Sequence, residues 1–201
     1  MNTKNNEIAK KIFQKNHGIL RLSQAMRLGI QKYTLYEMCD RGELIREGRG
    51  LYRLKDMEPL GNPDLIHVSL LVPKAVVCLM SALYYYEMTT QIPYSVNIAL
   101  PRNILKPRID YPPLEVFWML PKPYSSGINK ITIDGFKIKI YSPEKTIADC
   151  FKFRRRIGEE IAIEALKDYL HRSSINVELL MEYARINRVD RILTPYIRSL
   201  I

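Results

Sequence analysis

Gln31, Lys32, Tyr33, Thr34 and Tyr36 fall within six positions, and Arg46, Arg49 and Arg53 are spaced along the next segment; together they have the chemistry of nucleic-acid recognition. A glutamine amide can read adenine with two hydrogen bonds, and a lysine can reach guanine or phosphate. Threonine and tyrosine hydroxyls suit phosphate oxygens or the neighbourhood of a thymine methyl. Long guanidinium side chains can follow the flanking backbone or enter a minor groove. Two alternatives stay open. The Tyr33 and Tyr36 rings could instead complete a small core, and Lys10, Lys11 and Lys15 fit a solvated helix face better than a phosphate row.

Such side chains work only if a helix is held away from the body of a domain, because a B-DNA major groove admits one helix. The spacing predicts that arrangement. Residues 5–16 read as a helix with Ile8, Ile12 and Phe13 on one face, ended by His17-Gly18. A short helix fits 23–28, with Ser23 as N-cap after Leu22, and Gly29 stops it. The next helix, 31–41, turns Leu35, Met38 and Cys39 inward and leaves Gln31, Lys32, Tyr33, Thr34, Tyr36 and Glu37 outward or near the rim, with Gly42 as the left-handed residue after its end. Leu44-Ile45 and Leu51-Tyr52 bracket Gly48-Arg49-Gly50, the composition of a tight hairpin with Arg49 at its tip. Residues 18–55 therefore read as a winged helix-turn-helix whose recognition helix begins near Gln31.

The expected fold class is α+β: this winged domain over 1–56, a linker over 57–64, and an α+β domain over 65–201 with a mostly antiparallel sheet and a helical C-terminal part. The linker reads Met-Glu-Pro-Leu-Gly-Asn-Pro-Asp, which continues neither a helix nor a central strand. Beyond it the pattern predicts a helix over 73–86, strands over 95–100 and 114–120, and a hairpin over 131–140 turning at Asp134-Gly135. Ser142-Pro143-Glu144 opens a helix through about Phe153, and further helices fit 159–170, 177–186 and 189–200.

The formal charge of +10 asks for a polyanionic partner, and residues 1–56 carry +6 of it, 12 Lys and Arg against 6 Asp and Glu. Cys39, Cys78 and Cys150 are far apart, with no Cys-x-x-Cys pair, so a zinc site or disulfide framework is not expected. No apolar run reaches the roughly 20 residues of a membrane span, and the start lacks a secretory signal; no membrane partner and a cytoplasmic location are expected.

Catalysis finds little support. Glu144, Lys145 and Asp149 share one segment, but helical geometry gives Glu144 to the helix start and Asp149 to local bonding, beside a buried face of Ile147, Cys150 and Phe151. The rival reading is a metal-dependent nuclease using Asp134. Such an enzyme needs converging carboxylates, whereas turn chemistry explains an Asp-Gly pair. His17, His67 and His171 are isolated, and no cofactor, metal or catalytic residue is expected. Lys152, Arg154, Arg155 and Arg156 crowd a helix end, either as a solvated terminus complementing the helix dipole or as a second polyanion site. Tyr84-Tyr85-Tyr86 fits partly buried packing better than a base-stacking platform.

The run Gly18-Ile-Leu-Arg-Leu-Ser-Gln-Ala-Met-Arg-Leu-Gly-Ile30, Tyr33-Thr-Leu-Tyr36, Arg41-Gly-Glu-Leu-Ile-Arg46 and Gly48-Arg-Gly-Leu-Tyr-Arg-Leu54 resembles the AbiEi antitoxin family. Ser81-Ala-Leu83, Leu100-Pro101-Arg102 and Tyr141-Ser-Pro-Glu-Lys-Thr-Ile-Ala-Asp-Cys150 are similar to stretches of that family's second domain. The resemblance implies a transcriptional repressor and antitoxin of a type IV toxin-antitoxin, abortive-infection operon. Its winged domain would bind double-stranded DNA at its own promoter, and its second domain would oppose a nucleotidyltransferase-like toxin.

Overall fold

A computed structural model describes residues 3–200; Met1, Asn2 and Ile201 lie outside the described residues. The chain forms two compact units, one of Met1–Pro73 with Pro107–Pro112 and Thr132–Lys137, the other of Lys74–Lys106, Pro113–Ile131 and Ile138–Ile201.

The first unit runs α1 (Thr3–Lys15), β1 (Ile19–Arg21), α2 (Leu22–Arg27), α3 (Lys32–Asp40), β2 (Leu44–Gly48), β3 (Leu51–Leu54) and α4 (Pro63–Leu71). Its strands form an antiparallel sheet in the order β1-β3-β2. Ala9, Phe13, Leu20, Ala25, Ile30, Leu35, Met38, Leu44, Tyr52 and Leu54 make one core. Burial of each large apolar side chain there contributes about 1.5–3 kcal/mol.

Three local expectations need correction. The buried stripe of α1 is Asn6, Ala9 and Phe13, with Ile12 at its margin, and Ile8 is exposed. The stripe follows the true i, i+3, i+7 line of the helix, on which alanine and asparagine outrank the bulkier isoleucine. Ser23 does not cap α2; Arg21 is the N-cap residue, and the Gln24 side chain accepts its backbone N–H at 3.2 Å. The Asn62-Pro63 pair expected to fall in a linker opens α4 instead: Asn62 Oδ1 accepts from the Leu65 N–H, and proline suits the first helical position.

The second unit contains β4 (Val76–Val77), α5 (Leu79–Tyr85), β5 (Val96–Pro101), β6 (Leu114–Met119), α6 (Pro121–Ser125), most of β7 (Ile128–Ile133) and of β8 (Phe136–Tyr141), α7 (Pro143–Ile157), α8 (Glu159–Leu170), α9 (Val177–Asn187) and α10 (Asp190–Leu200). The strand order is β6-β5-β4-β8-β7. This sheet is mixed rather than mostly antiparallel, because β5 pairs with β6 and β4 with β8 in parallel. Residues 102–113 give β5 and β6 the dozen-residue connection that a parallel pair requires.

The helix expected over 73–86 is split: Val76-Val77 joins the sheet, and α5 starts only at Leu79. Ser142 caps α7 by accepting the Lys145 N–H at 3.3 Å, and α7 packs against α5, α8 and α9. No helix among the described residues is long and apolar enough to cross a membrane.

Candidate nucleic-acid interface

The turn before α3 is built by Gly29, whose φ of 89° lies in the left-handed region, and by the Ile30 N–H donating to the Ala25 carbonyl. Ile30 is buried there, which fixes the direction in which α3 leaves. Gln31 is its N-cap residue, with extended backbone and an exposed side chain.

Thr34, Leu35 and Met38 face the core of the unit. Lys32, Tyr33 and Tyr36 face out, Tyr33 at 69 % exposure and Tyr36 at 43 %, so neither ring fills the core. Thr34 departs from expectation. At 3 % exposure it lies one turn before Met38 on the buried stripe, and its hydroxyl cannot reach a groove. Cys39 is half-buried, whereas Cys78 and Cys150 are fully so, and all three are free thiols. The Lys32 ammonium sits 5.5 Å from the Tyr36 ring centroid, and Arg41 bonds Glu37 one turn back at 2.5 Å, which leaves Gln31, Lys32, Tyr33 and Tyr36 as the outward polar set.

The β2–β3 hairpin stands beside α3. Its two strands shift register between Arg46 and Gly48, and Gly48 and Gly50 carry positive φ values around Arg49. Arg49 is exposed and makes no hydrogen bond or ion pair among the described residues, whereas Arg46 Nε donates to the Gly48 carbonyl at 3.2 Å and leaves the rest of its guanidinium in solvent. Arg53 is different: half-buried, it is ion-paired to Glu47 and donates to the Leu54 carbonyl. The free cations of the hairpin are therefore Arg46 and Arg49.

Tyr52, buried on β3 opposite Arg46, lies near enough to Tyr36 of α3 for the two hydroxyls to interact electrostatically. Burial and then the Tyr36 hydroxyl hold the Tyr52 hydroxyl above its ordinary pKa. The only sign of this link in the sequence is the rule that a buried tyrosine hydroxyl finds a partner. Behind the hairpin, His67 of α4 is buried with neither ring nitrogen bonded among the described residues. Burial pushes its pKa down, with Glu47 and Asp64 pulling up and Arg53 adding to the depression.

Residues 7–55 match the model of a family described as transcriptional regulator, AbiEi antitoxin. This segment belongs to the AbiEi antitoxin family of transcriptional regulators. It runs from within α1 through the hairpin, so every polar side chain described above on α3 and on β2–β3 lies within the AbiEi segment. No curated protein matches the chain.

Outside the AbiEi segment, Asp134 occupies a left-handed turn position, φ 49°, and accepts the Gly61 N–H at 2.7 Å. Both features are turn and loop chemistry. The cations at the end of α7 do not act as one face. Arg156 bonds Glu115 at 2.8 Å and lies 3.9 Å over the Phe117 ring; Arg154 donates to the Phe151 carbonyl and sits 3.7 Å from Glu159; Arg155 is exposed; and Lys152 is half-buried, 5.9 Å from the Phe153 ring centroid.

The Lys145–Asp149 pair runs deeper than local bonding. Both side chains are fully buried and 2.5 Å apart, Asn187 donates to Asp149 at 2.7 Å, and the ammonium lies 4.3 Å from the Tyr141 ring centroid. Glu144 accepts from the Tyr169 hydroxyl at 2.9 Å. These bonds join α7 to α8 and α9, while Asp149 Oδ2 and Asn187 Oδ1 are buried with no hydrogen-bond partner among the described residues.

Proposed function

We propose that this protein is an operator-binding repressor and antitoxin of a type IV toxin-antitoxin operon. The first unit acts as a winged helix-turn-helix. Its α3 enters the major groove of double-stranded DNA at the operon's own promoter, with Gln31, Lys32, Tyr33 and Tyr36 towards the DNA, while Arg46 and Arg49 follow the flanking backbone. The observation that carries this reading is the alignment, inside the AbiEi segment, of an outward polar face on α3 with two unpaired arginines on the adjoining hairpin. The second unit opposes a nucleotidyltransferase-like toxin encoded beside it, in the cytoplasm, and no catalytic role is assigned to either unit. A gel shift of the purified chain on the DNA upstream of its own gene tests the first step. Retarded complexes that survive excess unrelated DNA support it, and binding no tighter than to unrelated DNA counts against it.

A further inference from the structure

An open cavity of about 490 Å³ lies within the first unit, a volume inside the range of roughly 300–1,000 Å³ usual for small-molecule sites. Three stretches far apart in the sequence line it. Lys10 and Gln14 come from α1, with His17 and Gly18 just beyond its end. The end of β3 and the residues after it bring Leu54, Asp56 and Met57, and the β7–β8 turn brings Asp134. Lys10, Gln14, Asp56 and Asp134 are exposed. Among the described residues the Lys10 ammonium, the Gln14 amide and the Asp56 carboxylate have no hydrogen-bond or ion-pair partner, and Asp134 engages only Oδ2, with the Gly61 N–H. One cavity thus gathers an ammonium, an amide and two carboxylates whose bonding capacity is unspent.

The walls of the cavity are held by close packing. The His17 ring meets Phe136 edge-on, with 5.3 Å between ring centroids, and lies so near Gly135 that a Cβ at that position would overlap the imidazole. Met57 rests on Gly18 in the same way, over a residue whose φ of 70° also turns the chain out of α1. The Gly61 N–H, at 2.7 Å, anchors one oxygen of Asp134 and leaves the other available.

We propose that this cavity binds a basic amino acid such as arginine. Its lining carries two carboxylates and one ammonium, and a basic amino acid carries the complement, two cations and one carboxylate. Lys10 takes the α-carboxylate, while Asp56 and Asp134 take the α-ammonium and the side-chain cation. A guanidinium fits this role because its planar fork gives a carboxylate two parallel hydrogen bonds. Leu54 and Met57 supply apolar surface for the methylenes of the ligand, and the Gln14 amide can donate or accept. A phosphate-bearing ligand would meet two aspartates here, so the cavity runs against the net charge of +10 that the chain carries as a whole.

Calorimetric titration of the full chain with L-arginine at roughly 0.15 M salt tests the assignment. Saturable binding of one equivalent is expected. L-Citrulline, whose side chain has the same shape but no charge, should bind about tenfold more weakly or worse. Asp134→Asn keeps the turn chemistry and an oxygen for the Gly61 N–H, so its melting temperature should hold while affinity for L-arginine falls about tenfold, the loss of roughly one charge-assisted contact. Asp56→Asn should weaken binding similarly. Lys10→Gln should also lose about tenfold for L-arginine, yet leave the binding of agmatine, which lacks the carboxylate, undiminished. Absence of saturable binding, equal affinity for L-arginine and L-citrulline, or insensitivity to the two aspartate variants would overturn the site. An equal loss for L-arginine and agmatine in Lys10→Gln would overturn recognition of the carboxylate, and with it the assignment to an amino acid. The titration contains no DNA, so its failure is distinct from failure of the repressor reading.

Discussion

The hydroxyl of Tyr52, buried at the centre of a three-stranded sheet, feels that of Tyr36 on the exposed side of α3. This pair thus connects the core of the first unit to the helix that carries its outward polar face.

Removing the Tyr52 hydroxyl alone, in Tyr52→Phe, keeps the ring packing and is expected to reduce stability by about 0.5–1.5 kcal/mol. Tyr36→Phe should cost a similar amount, and the double variant little more than either. Urea unfolding of the three variants checks this; fully additive losses would show that the two hydroxyls do not interact.

Gly29→Ala meets open space but forces an alanine into the left-handed region at φ 89°. The expected loss is about 1–2 kcal/mol, seen as a lower melting temperature. An unchanged melting temperature would mean that the turn before α3 does not require this backbone.

Burial holds His67 below its ordinary pKa of 6.5, so the unfolded chain takes up a proton before the folded one does. Its contribution to stability is therefore complete above about pH 6.5 and is lost as the pH falls towards the lower folded value. Thermal melts at pH 7.5 and 5 should differ more for the wild-type chain than for His67→Gln. An equal pH dependence in the two proteins would remove His67 as the cause.

In the second unit, Lys145→Met removes the cation that compensates the buried Asp149 carboxylate and should cost about 3–5 kcal/mol. Combining it with Asp149→Leu should recover much of that loss, because two apolar side chains replace two buried charges. Denaturant unfolding of the single and double variants distinguishes this from a purely steric effect, in which the double variant would be the less stable.

Local signals were the readable ones. Asp134-Gly135 announced the β7–β8 turn, Gly48-Arg49-Gly50 the β2–β3 turn, Ser142-Pro143 the start of α7, and helical periodicity the span of α8. Non-local pairing was not readable: the parallel partners of β4 and β5 depend on which strands meet, and Val76-Val77 is too short to show a strand period. The same limit applies to the sites. Tyr33 and Tyr36 face outward, while Thr34, hydroxyl-bearing and next to them, turns in with Leu35 and Met38 because of its angular position on the helix. Thr34→Ala is accordingly expected to alter stability and not sequence preference. The full burial of Lys145 and Asp149 was not readable either, because nothing in one helix's sequence says that other helices cover it on several sides.

The most direct test of the central claim is the binding of wild-type, Gln31→Ala and Arg49→Ala chains to promoter DNA and to variants with single base changes, across a range of salt. Arg49→Ala should weaken binding by a similar factor on every sequence and lower the salt dependence by about one unit. Gln31→Ala should lose about 1–3 kcal/mol of discrimination at one base position. Affinity and preference unchanged in both variants would contradict DNA recognition by α3 and the hairpin.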